Sequence, residues 1–221
     1  MKSIHFFSVL VLLIAATSFS ACDQKSQSDE PIAVIETDLG TIKFKLYDST
    51  PKHKENFLKL AKEGYYDGTL FHRIIPGFMI QGGDPDSKNA APGQRLGAGG
   101  PGYQIDAEIG ALHFRGTVAA ARLGGPANPE KKSSGCQFYI VQAGPLQEAQ
   151  LQQIEQQKGI KYTPEQRQRY LTKGGAPFLD NDYTVFGEVI EGMDVVDKIA
   201  NLPRDQFDRP QRDVKMKISI Q

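Results

Sequence analysis

At 221 residues with 39% hydrophobic composition, the chain is long enough to fill one globular core and too short for two such domains plus a linker. Lys and Arg together number 26, as do Asp and Glu, so no net field draws the protein to nucleic acid or to an anionic surface. Only two cysteines occur, which excludes a framework of several disulfides.

The chain opens on Met1-Lys2 and an apolar run from Ile4 to Ala16, shorter than the roughly 20 residues that span a bilayer, and residues 1–21 are read as a secretory signal peptide. Thr17-Ser18-Phe19-Ser20-Ala21 leads small residues into Cys22, which resembles the bacterial lipobox. That resemblance implies cleavage before Cys22, lipidation there, and anchoring at about 0.8 kcal/mol per buried CH₂, in the envelope of a bacterial cell at its inner or outer membrane. An ordinary signal peptide cut near a cysteine is the alternative. Residues 22–30 are polar with no apolar period and form a flexible tether, so the domain spans 31–221.

Ile32 to Glu36 and Thr41 to Leu46 flank the turn-rich Thr37-Asp38-Leu39-Gly40 and predict a β-hairpin. Thr50-Pro51 sets an N-cap and a first helical residue, with Phe57, Leu58 and Ala61 as an apolar stripe and Gly64 as a stop, so a helix is predicted over 50–63. Strands follow at Leu70 to Ile75, Phe78 to Gln81, Gly116 to Ala121, Gln137 to Val141 and Tyr183 to Ile190. Gly192 to Ala200 reads as a second helix, and the alternation Val214, Met216, Ile218, Ile220 as a closing strand. Between 145 and 174 the composition turns to Gln, Glu, Lys and Arg. Two short helices are predicted there, the second started by Thr163-Pro164-Glu165, as a solvated excursion on the surface.

Residues Phe71-His72-Arg73-Ile74-Ile75-Pro76-Gly77-Phe78-Met79-Ile80-Gln81-Gly82-Gly83-Asp84 resemble the signature of the cyclophilins, nearly unbroken over fourteen positions. The resemblance continues through Gly135 to Ile140, Phe178-Leu179-Asp180, Val185-Phe186-Gly187 and Gly192 to Asp197. It implies a mainly β fold, a closed antiparallel eight-stranded barrel capped by the helices near 50–63 and 192–200, with 145–174 as a helical insertion. It also implies peptidyl-prolyl cis/trans isomerase activity on proline-containing polypeptides, here exported proteins.

Rotating an X-Pro bond breaks amide resonance against a barrier of ~18–20 kcal/mol. No nucleophile, metal or cofactor is required; a surface that pins the proline ring and stabilises the twisted amide is enough. The guanidinium of Arg73 suits that task, since it can donate to the pyramidal prolyl nitrogen, an acceptor found only in the transition state. By the resemblance, Phe78, Met79, Tyr139 and Leu179 line the proline pocket, and Gln81 and Gln137 bond the substrate backbone or orient Arg73. Ala121 and Arg122 bind the residue before proline through main-chain groups, while Phe178 and Tyr183 sit at the rim. His72 is read as packed and hydrogen-bonded away from the cleft, and Cys136 as a small buried hydrophobe.

Arg122 stands where Asn is frequent, and Tyr139 where Phe is usual, so the Tyr139 hydroxyl must find a partner if buried. Phe178 replaces the Trp of the cyclophilins most sensitive to cyclosporin, so tight inhibition by that compound is not expected. The glycine-rich stretch 97–102 lacks the Lys-Ser/Thr of a phosphate loop and reads as a flexible loop near the cleft. A proline-peptide-binding scaffold with little turnover is the competing function, and monomer is the expected state.

Overall fold

The computed structural model describes residues 30–221. The signal, Cys22 and all of the tether except Glu30 lie outside the described residues. Ten strands and four α-helices follow in chain order: β1 Ile32–Thr37, β2 Gly40–Leu46, α1 Pro51–Lys62, β3 Phe71–Ile75, β4 Met79–Gly82, β5 Gln104–Ile105, β6 Thr117–Ala120, β7 Ser133–Ser134, β8 Phe138–Val141, α2 Glu148–Lys158, α3 Pro164–Thr172, β9 Val185–Glu191, α4 Met193–Ala200 and β10 Lys217–Ile220. Eight strands form one curled antiparallel sheet in the order β10-β1-β2-β9-β6-β8-β4-β3. Its edge strands share no ladder. They meet at a seam, where Leu70 bridges Lys215 and the Phe71 N–H donates to the Val214 carbonyl at 3.0 Å. The closed barrel expected from the sequence is thus joined by residues just ahead of β3 and β10. The two-residue pair β5-β7, which the sequence reading missed, lies outside this sheet.

The hairpin β3-β4 turns on Ile75-Pro76-Gly77-Phe78. Gly77 has φ 75° and the Phe78 N–H donates to the Ile75 carbonyl at 3.0 Å, the arrangement that places Pro second and Gly third in a type II turn. α1 starts at Pro51, as predicted, but Thr50 makes no side-chain cap. The Glu108 carboxylate does so from a distant loop, accepting from the Lys52 and His53 amides at 3.1 and 3.0 Å and favoured by the helix dipole.

Phe57 of α1 occupies the centre of the core, its ring 5.4–5.7 Å from those of Phe44, Phe138 and Phe186. Val195, Val196 and Ile199 of α4 join the same cluster. Each such side chain stabilises the fold by roughly 1.5–3 kcal/mol on burial. The insertion lies on the surface as expected, with most of its residues exposed or half-exposed, but it is anchored by an apolar cluster. Leu151, Tyr162 and Tyr170 are buried in a cluster of their own against Leu112 and Phe114, and α3 starts at the predicted Thr163-Pro164, where Thr163 and Gln166 form a capping box.

Candidate active site

Strand alternation builds the site on the outside of the barrel. On β8, Phe138 and Ile140 enter the core while Tyr139 and Val141 face outward; on β4, Ile80 goes in and Met79 out. β3 departs from this alternation, because Phe71 and Ile74 both enter the core although they are three residues apart. The pairing shifts between them: Phe71 opposes Gly82 and Arg73 opposes Gln81, so His72 is the extra residue of a bulge. That bulge turns Arg73 to the outer face beside Gln81.

A cavity of about 200 Å³ lies there, lined by Arg73, Phe78, Met79, Gln81, Ala121, Arg122, Tyr139, Leu179 and Tyr183. It is smaller than the roughly 300–1,000 Å³ of pockets that bury drug-sized ligands, and suits one side-chain ring. Met79 and Tyr139 form a buried floor. Burial holds the Tyr139 phenol well above its ordinary pKa, so it stays neutral. Its hydroxyl meets Nε2 of the fully buried His113 at 3.0 Å. Arg73 lies beside this apolar surface with a half-exposed guanidinium, and its ion-pair partner among the described residues is Asp208 at 3.6 Å.

The chain matches the family described as cyclophilin type peptidyl-prolyl cis-trans isomerase/CLD over residues 32–219. The chain belongs to that family. Curated relatives carrying a provisional peptidyl-prolyl cis-trans isomerase name are similar along nearly their whole length: one from Staphylococcus epidermidis is 35% identical over 90% of this chain and 95% of its own, and one from Staphylococcus aureus 34% over 89% and 94%. A crystal structure of a Cryptosporidium parvum cyclophilin type peptidyl-prolyl cis-trans isomerase is 28% identical, covering 87% of this chain and 97% of that one, at TM-score 0.61. A second crystal structure of that protein, in the presence of the dipeptide Ala-Pro, matches at TM-score 0.60.

This cyclophilin brings nine of the eleven predicted cleft residues to the cavity wall; the other two, Gln137 and Phe178, flank it. Phe178 is half exposed at the rim, its ring 5.4 Å from that of Phe78. Gln137 stands behind Gln81 and accepts from its Nε2 at 3.1 Å, while its own Nε2 donates to the Gly97 and Gly99 carbonyls at 3.0 and 2.8 Å. The glycine-rich loop is therefore held by the site, with the Gly97 N–H also donating to the buried Asp84 at 2.5 Å.

Several sequence expectations change. Neither glutamine bonds Arg73; its partner Asp208, at φ 65°, comes from a segment the sequence reading did not single out. The Ala121 N–H donates to the Gln137 carbonyl at 2.9 Å and its carbonyl accepts from Ser134 at 2.8 Å, so its amide is committed within the protein. The Arg122 side chain folds back over the Tyr183 ring, 4.5 Å from its centroid, and its Nε donates to the Asp182 carbonyl at 2.6 Å. His72 is buried as expected, yet among the described residues neither ring nitrogen has a hydrogen-bond partner of good geometry; burial pushes its pKa down to about 4, against weaker pulls from Asp84 and the Leu70 backbone. Cys136 is buried and its thiol is pushed up to about 11 by that burial, which suits a packing role.

Proposed function

We propose that this cyclophilin accelerates rotation about X-Pro bonds in exported polypeptides, with Arg73 stabilising the twisted amide. The observation that carries the reading is a half-exposed guanidinium on the wall of a cavity floored by Met79 and Tyr139. An apolar slot for the proline ring lies beside donors that a weak pairing to Asp208 leaves available. Phe78 and Leu179 would close on the ring, and Gln81, steadied by Gln137, would bond the substrate backbone. Tyr183 and Phe178 would contact the flanking residues, and Arg122 would offer main-chain groups to the residue before proline, a task in which the committed Ala121 amide takes no part. Proline-containing peptides as ligands are supported by the Ala-Pro present with the Cryptosporidium relative.

The test is cis-to-trans relaxation of an Ala-Pro-Phe peptide with wild type and Arg73→Ala. Loss of one preorganised donor at a developing lone pair costs on the order of 10²–10³-fold in rate, and that is the expected fall in kcat/KM. Equal, slow rates for both proteins would leave only a peptide-binding scaffold.

The signal, the lipid on Cys22, the tether to residue 30, the monomeric state and the bacterial envelope location belong to the same proposal. The signal, lipid, tether and envelope location rest on the residue pattern at 1–30, and the monomeric state is the default expectation. Among the described residues no helix is long and apolar enough to cross a membrane. Expression of Cys22→Ala in a bacterial host checks this: the lipid reading expects the variant to leave the membrane fraction, and retention there would overturn it.

A further inference from the structure

Tyr162 and Tyr170, both from the 145–174 insertion, converge on the pocket floor through a chain of buried polar groups. Their hydroxyls donate to Oδ2 of Asp180 at 2.7 and 2.6 Å. Oδ1 of the same carboxylate accepts the His113 backbone N–H at 2.7 Å and faces the His113 Nδ1 at 2.9 Å. Asp180 and His113 are both 0% exposed. Four groups thus surround one buried carboxylate, which is satisfied only as an acceptor, and Nδ1 must carry the ring proton. The other ring nitrogen, Nε2, lies 3.0 Å from the Tyr139 hydroxyl, and with Nδ1 as the proton-bearing nitrogen it is the acceptor for that O–H. The His113 and Tyr139 rings lie nearly parallel, 10° apart, so the relay sets the plane of the floor as well as the direction of its O–H.

We propose that the helical insertion is a positioning element of the proline pocket, acting through Asp180 and His113 on the Tyr139 hydroxyl. The relay draws that proton away from the cleft. The phenol then cannot donate to a substrate carbonyl and trap it off register, and the ring presents a flat apolar face to proline. Tyr139 stands where the family usually has Phe, so this chain has a polar atom at the floor that must be occupied, and the insertion supplies the residues that occupy it. The inference rests on the isomerase reading for its kinetic consequence, though not for its geometry.

A double-mutant cycle tests it. Tyr170→Phe removes one oxygen from the relay and should raise KM for the Ala-Pro-Phe peptide about fivefold, the size of one hydrogen bond, with kcat within about twofold. In a Tyr139→Phe background the same substitution should change KM by less than about twofold, because the path to the pocket is already cut. A merely structural Tyr170 would shift stability equally in both backgrounds and give additive effects on KM. Additivity, or an unchanged KM in a folded variant, overturns the proposal. Tyr162→Phe replaces Tyr170→Phe if the latter does not fold. The ¹⁵N shifts of the His113 ring give a second readout: one Nδ1–H tautomer in wild type and a mixture in the variant support the relay, and a mixture in wild type overturns it. If wild type shows no turnover, the isomerase reading fails, and the same cycle read on Ala-Pro peptide affinity decides the relay by itself.

Discussion

The two faces of β4, β6 and β8 are built by neighbouring residues under different rules. Inward, Ile80, Val118, Phe138 and Ile140 join an interior held by shape and volume. Outward, Met79, Ala119 and Tyr139 cover a smaller apolar patch whose floor is fixed by hydrogen bonds reaching into the insertion. Phe138 and Tyr139 differ by one residue and one oxygen. The first depends on filling space and the second on satisfying an atom, so the outer face needs partners from far along the chain where the inner face needs only alternation.

Substitution of one residue from each face breaks this contrast most directly. Phe138→Ala leaves a cavity among Phe57, Tyr66 and Phe71, and is expected to cost ~3–5 kcal/mol in denaturant unfolding. Phe78→Ala, on the outer face at the half-buried edge of the cleft, is expected to lower kcat/KM about 30-fold, or ~2 kcal/mol, while unfolding changes by less than ~1 kcal/mol. A stability loss at Phe78 equal to that at Phe138 would mean that the two faces are one structural unit.

The inner face was legible because its signal is local. The hairpin of β1 and β2, the helix after Thr50-Pro51 and the turn at Pro76-Gly77 each follow from residues within a few positions, and the fourteen-residue signature covers both β3 and β4. The outer face was legible only where the family resemblance reached. Asp208 lies 135 positions from Arg73, and His113 lies 67 from Asp180, so no periodicity links them. Tyr162 and Tyr170 sit in a Gln- and Lys-rich stretch whose average polarity suggests solvent, and two rings facing one carboxylate do not alter that average. The bulge at His72 was hidden for a related reason, since an extra residue in a strand changes register without changing composition.

His72 gives an intermediate case, a polar ring buried beside the site and, among the described residues, without a hydrogen-bond partner of good geometry. Its folded pKa is depressed by burial to about 4 from 6.5. As pH falls below 6.5 the unfolded ring takes up a proton that the folded ring refuses until about 4, so stability falls through that window and is fully present above it. Between about pH 7.5 and pH 5 this one group should remove ~2 kcal/mol. Denaturant unfolding at the two values, compared between wild type and His72→Gln, isolates it from the carboxylates. An identical pH slope in both proteins would show that the ring titrates normally.

The smallest effect is expected where the insertion meets the rim in solvent. Lys158 of α2 donates to the Phe178 carbonyl at 2.9 Å and pairs with Asp182 at 2.5 Å, so it holds both ends of the turn that carries Leu179. Partly exposed pairs of this kind contribute ~1 kcal/mol or less and weaken with salt. Lys158→Ala should therefore leave global unfolding nearly unchanged and raise amide hydrogen exchange at 180–183 by about threefold at low salt, with a smaller rise at high salt. Unchanged exchange would confine the insertion's hold on the cleft to the buried tyrosines. Faster exchange together with unaltered KM would separate the mobility of the rim from the shape of the floor.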